Sequence, residues 1–169
     1  MNELVLKIDN INRYELKFEN VESNFDNFVI KNLDIFKINL NLLIIEFNKY
    51  YLNNFKSGTD RINIQLLSYK IAKYFEREKY YKVAFEYYLI GIKYYYPKSF
   101  LSLAIYFQCM NYNKITLELI DMFNFLVKQI KNTNIYYEEL INLKKETISL
   151  LVDIESFNVK KYSEILFNL

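Results

Sequence analysis

Two hydrophobic periods divide the chain near residue 20. In residues 3–8 the apolar Leu4, Leu6 and Ile8 alternate with Val5 and Lys7, and in residues 14–18 Tyr14, Leu16 and Phe18 alternate with Glu15 and Lys17. Two-residue spacing on both sides of Asp9-Asn10-Ile11-Asn12-Arg13 predicts a short β-hairpin over residues 1–20. Two strands alone are marginal, so the hairpin must lean on the rest of the chain. From Ser23 the apolar positions recur at three- and four-residue steps instead. Phe25, Phe28, Val29, Leu33 and Phe36 mark one helix, with Ser23 or Asp26 as its N-cap. Ile38, Leu42, Ile45, Tyr51 and Leu52 mark a second, over about 35–54.

The segment FKSGTDR, residues 55–61, is the clearest breaker, and Thr59 or Asp60 is placed to cap the next helix. Helices are then expected over about 62–78 and 80–95, and Pro97 leads into a third that ends near Met110. A fourth spans 112–131, and after the polar turn Asn132-Thr133-Asn134 two capping helices occupy 135–154 and 158–167. Short connections between consecutive helices imply antiparallel neighbours. The fold class expected is a mostly α single domain over 1–169, built of antiparallel helix hairpins with a short N-terminal β-hairpin.

An internal repeat sharpens this picture. Residues 71–87 (IAKYFEREKYYKVAFEY) align without a gap on residues 103–119 (LAIYFQCMNYNKITLEL) at an offset of 32. Ala72 meets Ala104, Tyr74 meets Tyr106, Phe75 meets Phe107, Tyr80 meets Tyr112, Lys82 meets Lys114 and Glu86 meets Glu118. A helix-turn-helix unit of about this period marks tetratricopeptide-type solenoids. Small Ala72, Ala84 and Gly91 alternate with large Phe75 and Tyr88, as two helices at a close crossing require.

The stretch IAKYFEREKYYKVAFEYYLIGIKYYYPKSFLSLAIYF resembles the Sel-one-like subtype of tetratricopeptide repeats, through Ile71 to Phe75, Tyr80, Ala84, Tyr87 to Ile92 and Leu103 to Phe107. The resemblance covers about residues 71–123, and the second unit departs from it with Thr116 at the small position and Asp121-Met122-Phe123 further on. Where the family usually places glycine this chain has Tyr95-Tyr96-Pro97, so a different turn or helix end is expected there. The resemblance implies an α-solenoid fragment with two stacked units over 62–131, and a non-catalytic adaptor or scaffold for protein-protein interaction. In that geometry the first helix of each unit lines a concave face. The partner-facing residues would be Tyr69, Lys73 and Glu76 in one unit and Leu101, Ile105 and Gln108 in the next, forming a groove for a peptide or helix.

Composition narrows the chemistry. With 52% hydrophobic residues in 169, the chain has material for one core. A formal charge of +2 does not itself call for a nucleic acid or an anionic membrane. There is no histidine, which removes the usual general base, the commonest metal ligand and the middle member of a Ser-His-Asp or Cys-His set. Cys109 is the sole cysteine, sits near a helix end and has no activating partner identifiable from sequence, so an inert small residue is expected. Gly58 and Gly91 are the only glycines, too few for a phosphate-cradling loop. The expectation is no enzyme, no metal and no cofactor.

Glu3 and Lys7 interrupt the apolar run a secretion signal would need, and the run LNLLIIEF (residues 40–47) is far short of a membrane span. An intracellular, cytoplasmic protein is expected. Abundant Asn, Ile, Lys, Tyr and Phe with scarce Gly, Pro, Ala and Trp is the bias of an AT-rich coding sequence. Together with the repeat type it points to a viral origin and the host cytoplasm. A protein partner or a second copy of the chain is expected. The alternative is nucleic-acid binding by the Lys/Tyr-rich surface around 70–98, where Lys70, Lys73, Arg77, Lys79 and Lys82 are interleaved with Glu76, Glu78 and Glu86. Tyr74, Phe75, Tyr87, Tyr88, Tyr106 and Phe107 are expected in the core.

Overall fold

The computed structural model describes residues 2–11, 16–18, 21 and 40–130. Among these the protein is mostly helical and contains no strand. Its helices are α1 (Asn2–Asp9), α2 (Leu40–Tyr51), α3 (Gly58–Arg77), α4 (Tyr81–Lys93), α5 (Pro97–Cys109) and α6 (Asn113–Ile130). From α2 to α6 each helix packs on the next, and α1 returns to lie against α4. The helices expected over 23–36, 135–154 and 158–167 lie outside the described residues.

Two helix starts have identifiable causes. Ser57, not Thr59 or Asp60, caps α3. Its hydroxyl accepts from the Asp60 N–H at 3.1 Å while the Asp60 carboxylate accepts from the Ser57 N–H at 3.0 Å. This reciprocal box satisfies two backbone donors that the first turn otherwise leaves unpaired. Pro97 opens α5 from the first helical position, where its missing N–H costs nothing.

The three turns joining α3 to α6 are one motif used three times. Lys79, Tyr95 and Asn111, spaced by 16 residues, adopt left-handed backbone with φ of 64°, 62° and 65°. In each turn the next residue's N–H reaches back along the chain: Tyr80 to the Phe75 carbonyl at 2.8 Å, Tyr96 to Gly91 at 3.0 Å and Tyr112 to Phe107 at 2.9 Å. The left-handed residue itself donates to the Glu76, Ile92 or Gln108 carbonyl, at 3.0 Å each time. These paired bonds satisfy carbonyls that a helix end otherwise leaves open. Tyr80 packs edge-on against Phe75 and Tyr112 against Phe107, with ring centroids 6.3 and 6.0 Å apart. At Tyr95, tyrosine adopts the conformation that glycine would adopt more cheaply, and the turn is the same as those at Lys79 and Asn111.

Small residues set the helix approaches. A Cβ built on Gly91 would stand 2.8 Å from the Ser99 Cβ and 3.6 Å from the Ser68 hydroxyl, so α4 runs against both α5 and α3 here. Ala72, Ala84, Ala104 and Thr116 are fully buried, and the Thr116 hydroxyl donates to the Tyr112 carbonyl at 2.9 Å. Tyr88, Tyr106 and Phe107 are fully buried as expected, while Tyr74, Phe75 and Tyr87 are half-buried.

Two sequence expectations are corrected. Residues 3–8 are not a strand. Leu4, Val5 and Ile8 are buried on one helical face of α1, while Leu6, which a strand would turn inward with Leu4 and Ile8, is 59% exposed. A short run with Val5 among alternating residues fits both periods, and the buried face at steps of one and four decides for helix. Of the second arm, residues 14–15 lie outside the described residues, Leu16 and Lys17 belong to no regular element, and Phe18 is helical. Phe18 packs edge-on against Phe85 at 5.6 Å. In α2 the buried pair is Leu43 and Phe47, whereas the expected Leu42, Ile45 and Leu52 are exposed. The run LNLLIIEF is apolar on nearly every face, so periodicity alone does not orient it.

Candidate functional site

Tyr69, Lys73 and Glu76 succeed one another along one face of α3, at four- and three-residue steps. The structure brings them together, and inward. Glu76 is 3% exposed and Lys73 is 7% exposed. Lys73 Nζ stands 3.3 Å from Glu76 Oε1. The other carboxylate oxygen, Oε2, accepts from the Tyr88 hydroxyl of α4 at 2.8 Å and from the Tyr106 hydroxyl of α5 at 3.2 Å. One carboxylate thus collects donors from three helices. A buried carboxylate costs several kcal/mol in lost hydration, roughly, unless its lone pairs are filled, and here an ammonium and two phenols fill them.

Aromatic rings close the site from the side. Lys73 Nζ lies 5.1 Å from the Tyr69 ring centroid and 5.6 Å from that of Tyr88, within cation–π reach of both. Lys98 Nζ, on α5, lies 5.7 Å from the same Tyr69 ring. The Tyr96 ring meets Tyr69 edge-on at 5.4 Å. Tyr69 is half-buried and forms the outer edge of the cluster.

The titration behaviour is set by these contacts. Burial by itself lowers the Lys73 ammonium, but Glu76 and Tyr69 together outweigh it and hold Lys73 above the ordinary lysine value. The Tyr88 and Tyr106 phenols are pushed well above the ordinary tyrosine value, first by burial and then by the Glu76 charge. A lysine kept protonated is the reverse of a nucleophilic lysine, and a phenol kept neutral is a hydrogen-bond donor and no base.

The second unit carries a different set at the same register. Leu101 and Ile105 are buried at 2% and 8% exposure, and Gln108 is half-buried. The Gln108 side-chain oxygen accepts a weak contact from the Cys109 thiol at 3.8 Å. Cys109 itself is buried. Of the six residues expected to face a partner, Lys73, Glu76, Leu101 and Ile105 are therefore interior, and Tyr69 and Gln108 reach the surface in part. The open groove expected there is corrected in this respect, because a one-turn step from a small alanine does not say whether other parts of the chain cover that face. The same burial removes Lys73, Tyr88, Tyr106 and Phe107 from any base-stacking surface.

Sequence reasoning missed Tyr88 and Tyr106 as partners of Glu76. The available signal was a carboxylate at a position whose repeat equivalent is the neutral Gln108. Among the described residues no group of three or more His, Cys, Asp or Glu side chains is placed to hold a metal ion, and no helix is long and apolar enough to cross a membrane. The chain matches no family model, no curated protein and no solved structure.

Proposed function

We propose that the protein is a non-catalytic interaction module of the tetratricopeptide-like, Sel-one-like kind, which binds a partner protein or peptide inside the cell. The observation that supports this reading is the recurrence of one turn at 79, 95 and 111, joining the successive helices α3 to α6. Equivalent hairpins present side chains in a regular row, the arrangement that suits recognition of an extended or helical segment. The row's accessible members are Tyr69 and Gln108, both half-buried.

The test is affinity capture with the full chain, repeated with Tyr69→Ala and Gln108→Ala. Loss of one dominant protein partner from both variants, at unchanged far-ultraviolet helicity, is the expected result. Salt-dependent retention on single-stranded RNA that disappears with Arg77→Glu and Lys82→Glu, both exposed positions, would instead establish the nucleic-acid reading.

A further inference from the structure

We infer that the Glu76 carboxylate is a register lock, which fixes the second hairpin on the first in one stacking position by accepting a hydrogen bond from a phenol of each. The lock concerns how the module holds itself together and stands apart from what it binds. Tyr88 belongs to the first hairpin and Tyr106 to the second, and both reach the same oxygen, Oε2.

The surroundings make such a device necessary. Tyr88 and Tyr106 sit in a buried core made mainly of alanine, leucine and aromatic residues, among them Ala72, Ala104, Leu103, Phe85 and Phe107. Apolar contacts are non-directional and tolerate a slide along the helix axis, whereas a hydrogen bond loses most of its value once its angle is lost. A slide of one turn would move α5 by about 5.4 Å. It would bring Leu103 or Met110 to the place of Tyr106, and neither side chain has a donor. Ser102 and Cys109, also one turn away, carry groups far shorter than a phenol. The same holds on α4, where Ala84, Phe85, Gly91 and Ile92 flank Tyr88 by a turn in either direction. A one-turn slide of the second hairpin therefore takes the Tyr106 donor from the buried carboxylate and puts none in its place, while Lys73 and Tyr88, on the first hairpin, stay with it.

Two measurements on the full chain test the lock. In the combined variant Lys73→Met, Glu76→Leu, Tyr88→Phe, Tyr106→Phe, the whole polar cluster is replaced by apolar groups of similar shape. Helicity and thermal midpoint should stay near those of the parent, while amide resonances of α3 and α5 double or broaden as registers mix. A single sharp set with the parent's contacts between α3 and α5 would overturn the lock. The second measurement is a double-mutant cycle between Glu76→Gln and Tyr106→Phe, conservative changes that are informative even if the combined variant does not fold. Coupling of about fivefold or more in the folding equilibrium constant is expected, and additivity within about twofold would show that Glu76 does not join the hairpins.

Discussion

At register 69, 73, 76 the first hairpin carries Tyr, Lys and Glu; 32 residues later the second carries Leu, Ile and Gln at the same places. Lys73, Glu76, Leu101 and Ile105 are all buried, so the two hairpins solve one packing problem with opposite chemistry. The backbone is shared because the turns and the small residues are shared. Lys79 and Asn111 take the same left-handed conformation, and Ala72 and Ala104 the same fully buried place. The side chains that fill the register are then free to differ, and the difference separates a directional contact from a non-directional one. The architecture belongs to the backbone; its uniqueness belongs to one carboxylate.

Glu76→Leu should break this comparison hardest. It leaves the Lys73 ammonium and two phenols buried without their acceptor, a loss of about 3–5 kcal/mol in urea unfolding. Gln108→Leu, at the equivalent half-buried place, should change stability by no more than about 0.5 kcal/mol. Gly91→Ala comes next. The new Cβ meets Ser99 inside the α4–α5 contact, and a cost of about 2 kcal/mol is expected by the same measurement. Gly58→Ala is its control, since nothing lies within 4 Å and the position is helical, so the result should be neutral or slightly stabilising.

Alkaline titration should tell the registers apart. Lys73, Tyr88 and Tyr106 all have folded values raised above their ordinary 10.5 and 10.0. The folded state therefore binds their protons more tightly, and the stability they contribute is complete below about pH 10 and declines as pH rises through the folded values. The decline reaches about 1.4 kcal/mol per pH unit for each group. Tyr88→Phe and Tyr106→Phe should each flatten the curve, while register 101, 105, 108 has nothing to titrate. The smallest effect expected is at the turns. Tyr95→Gly relieves left-handed strain and should raise stability by about 0.5–1 kcal/mol, and Asn111→Gly by less, since asparagine tolerates that conformation.

The helices from 58 to 130 are legible in the sequence because their breakers are strong: Ser57 to Asp60 and Pro97 stop and start elements whatever surrounds them. The alignment at a 32-residue offset is carried in the sequence by Ala72 and Ala104 and the aromatics beside them. Its half-period is not, although Tyr80, Tyr96 and Tyr112 stand 16 residues apart, because the motif lies in hydrogen-bond geometry and Lys79, Tyr95 and Asn111 have no residue type in common. Residues 3–8 mislead because so short a run samples too little of either period. Of the site, the helical spacing places Tyr69, Lys73 and Glu76 on one face correctly but not the direction of that face. Burial there is set by residues far along the chain, and Tyr106 lies 30 positions from Glu76.

The way α1 is attached has a consequence for the order of assembly. From α2 to α6 every helix packs on its chain neighbour, so each contact closes only a short loop and forms at little entropic cost. Such stretches fold quickly. The exception is α1, which reaches α4 and whose Lys7 meets Glu118 of α6 at 3.3 Å, 111 residues away. It must wait for α4 to be in place before Leu4, Val5 and Ile8 have a surface to dock on, and for α6 before Lys7 meets Glu118. Amide exchange at those residues should thus be faster than in α4 and α5, reporting an N-terminal latch that closes last and opens first.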